Sequence, residues 1–219
     1  VEHDVIQGWT IIKDDKTLIR ALKRTSSPLL ESYQRQQIET AMDLCENYRT
    51  GIDIGANYGL MCQHMSRRFQ QVHAFEIEPK VYKCLEMNMA KFNLDNVKTY
   101  AHGIGEIEQN VSLNYNAKKS TFSTHVTPGS DGDIPVKPLD SLELTDVDFI
   151  KIDAEGYEPL IIKGGIKLIT THRPVILYEC KGHEARYGHS KDTVLEILSP
   201  LGYQSIAYAG GKNKIIGVK

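Results

Sequence analysis

Short apolar runs alternate with longer stretches of helical spacing along most of the chain. Gly51-Ile52-Asp53-Ile54 reads as a strand closed by glycine, and Val72 to Glu76 as a second. Val97 to Ala101 reads as a third, Phe149 to Asp153 as a buried fourth and Pro174 to Glu179 as a fifth. Between them the apolar period lengthens to that of a helix, up to about Phe69, over Lys80 to Phe92, over Tyr157 to Ile169 and over Lys191 to Leu198. Strands that alternate with helices predict a parallel sheet with helices on both faces. Tyr203 to Ile206 and Ile215 to Val218, joined around Gly210-Gly211, predict an antiparallel hairpin that closes the sheet. Val111 to Tyr115 predicts an added arm. The whole reads as one α/β domain with a seven-stranded, mostly parallel sheet.

Ahead of this core, which takes up residues 49–219, residues 1–48 predict a helical cap belonging to the same domain. It holds a short alternating stretch, Trp9 to Ile12, and a basic helical piece ending at Lys23-Arg24. Ser27-Pro28 then opens a helix, with Leu30, Tyr33, Ile38, Met42 and Cys45 on one face up to about Glu46. The Val1 start is read as that of a trimmed or excised domain.

Composition narrows the functional classes. The 219 residues are 41% hydrophobic and 25% charged, ordinary for a globular chain that needs no disulfide or metal staple. No apolar run is long enough to span a bilayer. The net charge of −2 lacks the basic excess of a nucleic-acid reader, so no nucleic-acid partner is expected. Cys45, Cys62, Cys84 and Cys180 form no Cys-x-x-Cys pair and read as reduced core thiols in a cytoplasmic protein.

The first strand-to-helix turn reads Asp53-Ile54-Gly55-Ala56-Asn57-Tyr58-Gly59. Gly55 permits a sharp turn and close backbone approach to a ligand, and Gly59 permits close packing of the helix on the strand. The helix start offers free N–H groups. The dinucleotide fingerprint fails, because Asp53 stands at its first glycine. A carboxylate there repels a pyrophosphate and suits an ammonium. S-adenosylmethionine (SAM) carries one, beside a carboxylate that backbone N–H groups can meet. Glu76 ends the second strand at the spacing of a ribose-binding acid, and Ile77 behind it can pack on an adenine face.

These segments, with Asp148 to Gly156, resemble the FkbM-type family of class I SAM-dependent methyltransferases. Pro174 to Glu179 matches the family's next strand, and Leu139-Asp140-Ser141-Leu142 the segment before the fourth. The resemblance covers residues 51 to about 182. It implies a Rossmann-like class I methyltransferase fold, SAM as cofactor, and methylation of sugars or hydroxylated natural products. Of these a sugar hydroxyl on a glycan or glycoside is favoured, the alternatives being a non-sugar natural product, a nucleic acid, or a non-catalytic nucleoside-binding module. Domains of this kind also occur fused to glycosyltransferases. One departure is His102-Gly103-Ile104 after the third strand, where many class I enzymes place an acid on the adenine amino group. Adenine is then read there by backbone groups or by His102.

Ligands of open parallel sheets sit at the carboxyl ends of the strands. Asp153 and Glu155 end the fourth strand and Glu179 the fifth, so three acids are expected beside the methyl group. Crowding raises at least one pKa, which suits a general base. Alternatively the three hold a divalent cation, with His183 or His189 nearby. Glu155 reads equally as a helix cap. Lys151 reads as a partner for one of these acids. His183 is the weaker catalytic candidate, and the polar loop Lys118 to His125 a candidate lid.

Overall fold

The computed structural model describes residues 2–13, 15, 34–115, 124–129, 131–208 and 213–218. Five parallel strands form its centre: β3 (Thr50–Ile54), β4 (Gln71–Phe75), β5 (Val97–Tyr100), β11 (Val147–Ile152) and β12 (Val175–Glu179). Two further strands, β13 (Tyr203–Tyr208) and β14 (Asn213–Val218), complete the seven-stranded sheet in the order β13-β14-β12-β11-β3-β4-β5. Only β14 runs antiparallel to its neighbours, inserted between β12 and β13. The expected parallel sheet with an antiparallel C-terminal pair is therefore what the chain forms. The Gly210-Gly211 turn lies outside the described residues.

The chain leaves β3 toward β4 and β5, then returns to build β11 and β12 on the other side. That reversal, between β3 and β11, is the topological switch point at which such sheets open a crevice. Alternation along each strand feeds two apolar layers. Ile52, Ile54, Ile150, Ile152, Ile176 and Tyr178 face one layer, completed by Leu139, Ile161, Leu168 and Leu198. Phe149, Leu177, Val72 and Ala74 face the other, with Ile38, Met42, Met61, Met65 and Leu85. Helix α1 (Arg35–Met42), α2 (Leu60–Ser66) and α3 (Pro79–Lys91) supply the second layer. Glu78 caps α3 by accepting from the Val81 N–H at 2.6 Å, and Pro79 opens its first turn.

Smaller pairings flank the crevice. β10 (Ile134–Pro138) lies between β6 (Gly103–Gly105) and β7 (Gln109–Val111), and β8 (Leu113–Asn114) pairs with β9 (His125–Val126). The arm expected at Val111 to Tyr115 is thus part of two small sheets. The helix expected over Tyr157 to Ile169 is instead two, α4 (Glu158–Lys163) and α5 (Ile166–His172). The break is at Gly164-Gly165. A Cβ on Gly164 would meet the Gly105 carbonyl oxygen at 1.8 Å, so β6 reaches the helix only through a residue without a side chain.

The described part of the N-terminal segment opens with a hairpin. β1 (His3–Ile6) and β2 (Trp9–Ile12) form a tight hairpin through Gln7 and Gly8, both at positive φ. Asn88 of α3 accepts from the Thr10 N–H and donates to the Thr10 and Tyr58 carbonyls, which binds hairpin, helix and glycine turn together. The basic piece ending at Lys23-Arg24 and the Ser27-Pro28 helix start lie outside the described residues. Helix α6 (Thr193–Leu198) packs near α4.

Candidate active site

A pocket opens at the carboxyl ends of β3, β4 and β11. Ala56, Asn57, Glu76, Ile77, His102, Gly103 and Ile104 line one side, and Asp153, Ala154, Glu155 and Lys181 the other. Gly55 sits at φ 77°, and a Cβ there would fall 2.0 Å from the Asp153 carbonyl oxygen. Only glycine allows β3 and β11 to turn so close together. Gly59, at φ 91°, does something other than expected. Its missing Cβ makes room for Leu85 and Met89 of α3, at 2.8 and 2.3 Å, rather than for the strand, and it does not line the pocket.

Glu76 is held on both oxygens. Asn57 N–H donates to one and Glu78 N–H to the other, each at 2.8 Å. Asn57 can point its N–H this way because it adopts φ 51°, and its own Oδ1 accepts from the Tyr58 N–H. Burial pushes the Glu76 carboxyl up to about 7, against the pull of these two N–H groups. A desolvated carboxylate fixed in this way can still accept hydrogen bonds from a pair of vicinal hydroxyls. Ile77 presses on the Gly103 backbone, where a Cβ would lie 2.6 Å from its Cδ1. His102 packs on Phe75 and Tyr100, its Nδ1 3.0 Å from the Gly103 carbonyl oxygen. This side is flat, apolar and edged by backbone groups, the setting an adenine ring needs.

Asp53 is not where the sequence reading put it. It is wholly buried, does not line the pocket, and pairs with Lys151 at 2.9 Å. The two are direct neighbours in the register of β3 against β11. Cys62 Sγ lies 3.3 Å from the second carboxylate oxygen. Lys151 also donates to the Gly55 carbonyl at 3.0 Å. Burial alone would lower the Lys151 pKa, but the charges of Asp53 and Asp153 raise it, so it stays an ammonium. The pair shapes the glycine turn from below. The N–H groups of Gly55 and Ala56 both donate to the Phe75 carbonyl at 3.0 Å, so neither is free to meet a ligand carboxylate.

At the opposite rim, carboxylate oxygens of Asp153, Glu155 and Glu179 lie within 4.8 Å of one another. Burial first, and then the charge of Asp153, push Glu179 up to about 8, while Lys181 pulls part of the way back. Lys181 Nζ touches Glu179 Oε1 and stands 3.7 Å from Glu155 Oε1. His183 Nδ1 is 2.8 Å from the other Glu155 oxygen. Asp153, Glu155 and Lys181 face the pocket, whereas Glu179 and His183 lie behind them. Glu155 is not the helix cap. It sits at φ 53°, one residue before Gly156 at φ 106°, and this left-handed pair turns its side chain away from α4. Glu158 serves α4's start instead, accepting from the Ala154 N–H at 2.9 Å.

Sequence reasoning passed over Lys181 as a site residue, together with Glu158, Tyr157 and Tyr187. Lys181 stands two residues after Glu179, and side chains two apart share a face of an extended chain, which is the signal that could have found it. Tyr187 donates to the Val126 carbonyl at 2.7 Å and packs edge-on against Tyr157, and so supports two residues that line the pocket. Thr124 and His125 line the pocket too, whereas the remainder of the candidate lid, Lys118 to Ser123, lies outside the described residues. His189 is half-buried and does not line the pocket.

A switch-point pocket with a ribose-type acid on one strand end and acids on two others, under a seven-stranded sheet with one antiparallel strand, defines a class I SAM-dependent methyltransferase. Residues 53–205 match the methyltransferase FkbM domain, and the chain belongs to that family. SAM is its methyl donor. Among solved structures, an FkbM methyltransferase from Methylobacillus flagellatus aligns with TM-score 0.52 at 18% identity, over 78% of this chain and 43% of that one. This chain therefore spans less than half of that protein. A Streptococcus mutans protein assigned as a methyltransferase and solved with S-adenosylhomocysteine aligns with TM-score 0.52 at 11% identity, over 84% of this chain and 94% of that one. A SAM-dependent methyltransferase from Aquifex aeolicus gives TM-score 0.50 at 14% identity, over 86% and 94%. No curated protein matches the sequence. No helix among the described residues is long and apolar enough to cross a membrane.

Proposed function

We propose that the chain is an O-methyltransferase acting on a sugar hydroxyl of a glycan or glycoside. The observation that carries this reading is the carboxylate rim, where Asp153 and Glu155 face the pocket opposite the adenine-type wall and Glu179, beside them, is pushed up to about 8. A sugar hydroxyl keeps its proton at neutral pH, so its oxygen needs a base as it takes on a methyl group. An already basic nitrogen acceptor would need no such cluster.

SAM supplies a methyl group activated as a sulfonium. Glu76 would hold its ribose hydroxyls, Ile77, His102, Gly103 and Ile104 its adenine, and Ala56 and Asn57 the turn beneath it. Asp53 and Gly59 shape that turn without contact. Asp153 faces the pocket and accepts the acceptor's hydroxyl proton on a carboxylate oxygen, with Glu179 behind it to share the added charge. Glu155, tied to His183 and Lys181, fixes the rim. Alignment of oxygen and methyl accounts for the rest of the acceleration.

The acceptor is found by mass spectrometry of glycans from cells with and without the protein, where an added CH₂ marks the product. With that acceptor, Asp153→Asn is expected to lower turnover by about a hundredfold or more while SAM binding changes little, the lower range of general-base effects. Near-normal turnover in Asp153→Asn and Glu179→Gln together would remove the cluster from the chemistry.

A further inference from the structure

Three carboxylates drawn within 4.8 Å of one another repel, and the usual remedy is a bound divalent cation. Here a side chain stands in that place. Lys181 leaves the end of β12 two residues after Glu179 and brings its ammonium to Glu179 Oε1, with Glu155 Oε1 3.7 Å away. The charge of Asp153 also raises the Lys181 pKa, so the ammonium answers to all three acids. His183 meets the outer oxygen of Glu155, on the side away from Lys181.

We propose that Lys181 is the built-in cation of this rim, taking the place of a divalent metal and holding Asp153, Glu155 and Glu179 in position. It is a positioning residue. An ammonium donates directional hydrogen bonds to carboxylates but cannot coordinate the acceptor oxygen as a metal does. A site held in this way must take the hydroxyl proton on an acid, and the ion pairs keep that acid aimed. The idea deepens the O-methyltransfer reading given above, but its test needs no acceptor, so the two can fail separately.

The probe is Mn²⁺ alone, titrated calorimetrically and by paramagnetic broadening of water relaxation, on the wild-type chain and on Lys181→Met, Lys181→Gln and Lys181→Arg. Lys181→Met and Lys181→Gln remove the ammonium that touches Glu179 and neighbours Glu155, so each is expected to bind Mn²⁺ at least tenfold more tightly than wild type. Lys181→Arg keeps a cation and is expected to stay at the wild-type level, which a loss of packing alone would not produce. Thermal melting and circular dichroism report the fold of each variant, and SAM titration reports the pocket that Lys181 faces. Wild-type protein that binds Mn²⁺ as tightly as folded Lys181→Gln would overturn the proposal, and so would a folded Lys181→Met and Lys181→Gln that gain nothing. Retained SAM binding with no gain in Mn²⁺ leaves the methyltransfer reading standing and removes only the part given to Lys181.

Discussion

Asp53 and Lys151 offer the sharpest test of how the site is supported. Both are buried, they face each other in the β3–β11 register, and their charged atoms are 2.9 Å apart. Removing one partner strands the other in a place water cannot reach. Such a loss costs about 3–5 kcal/mol, whereas replacing the whole pair with apolar side chains is often near neutral. Asp53→Leu leaves the Lys151 ammonium with the Gly55 carbonyl and the more distant charge of Asp153. Lys151→Met leaves the Asp53 carboxylate with only the Cys62 thiol. Each single variant is therefore expected to lose about 3–5 kcal/mol, or roughly 6–20 °C in melting temperature for a chain of this length. The double variant loses the hydrogen bond to Gly55 and the Cys62 contact, about 1–2 kcal/mol together. Urea unfolding of the four proteins gives the coupling energy directly, expected above about 2 kcal/mol. Additive losses in the two singles would refute the argument. SAM titration of the double variant then asks whether Asp53 touches the ligand. Because it does not line the pocket, the expected loss of affinity is under about tenfold.

Other outcomes follow from the same geometry. Glu76 accepts hydrogen bonds from a ribose diol best when ionised, and burial raises its pKa to about 7. SAM affinity should therefore fall as pH drops below 7, by about tenfold at pH 6, and flatten in Glu76→Gln, which should itself bind at least about tenfold more weakly. A pH-independent wild-type affinity from calorimetry would misplace the ribose. Glu158 is likewise raised by burial, from 4.5 to about 7, and its second oxygen has no hydrogen-bond partner among the described residues. A carboxyl raised on folding favours the folded state below pH 4.5, and that contribution is lost as pH rises through 7. Glu158→Gln should then match wild type in urea unfolding at pH 5 and exceed it by about 1 kcal/mol or more at pH 8.5; equal stability at both would show that Glu158 ionises freely.

The parts of the fold that were legible were those written locally. Alternating strands and helical spacings carried the sheet, and Asp53 to Gly59 carried the switch-point turn. The helix from Tyr157 was misread because its periodicity runs through Gly164-Gly165 without a gap, and the break comes from a distant contact with Gly105. The hairpin at the start was half visible, since its first strand, His3–Ile6, carries only two apolar residues. Asp53 was read as a ligand contact for want of one fact, the register that sets it opposite Lys151. Charge at a strand end says that a partner exists but not whether that partner is a ligand or a neighbouring strand. The three acids at the rim could be brought together from strand order alone, whereas the cation among them depends on the rotamer of a side chain in the following loop.

The placement of β14 has a consequence for how the protein is made. β12, which ends in Glu179, pairs with β11 on one side and with β14 on the other, while β13 reaches the sheet only through β14. During synthesis β12 emerges ahead of residues 213–218, so a nascent chain shows one apolar strand edge with its backbone groups unpaired. Such edges recruit strands from other molecules. Chaperone attention should thus fall on the interval after Glu179 and end when Val218 emerges. A chain stopped at Tyr208 is expected to scatter light on release, and a separately added peptide of residues 213–218 to suppress that scattering by taking the vacant edge.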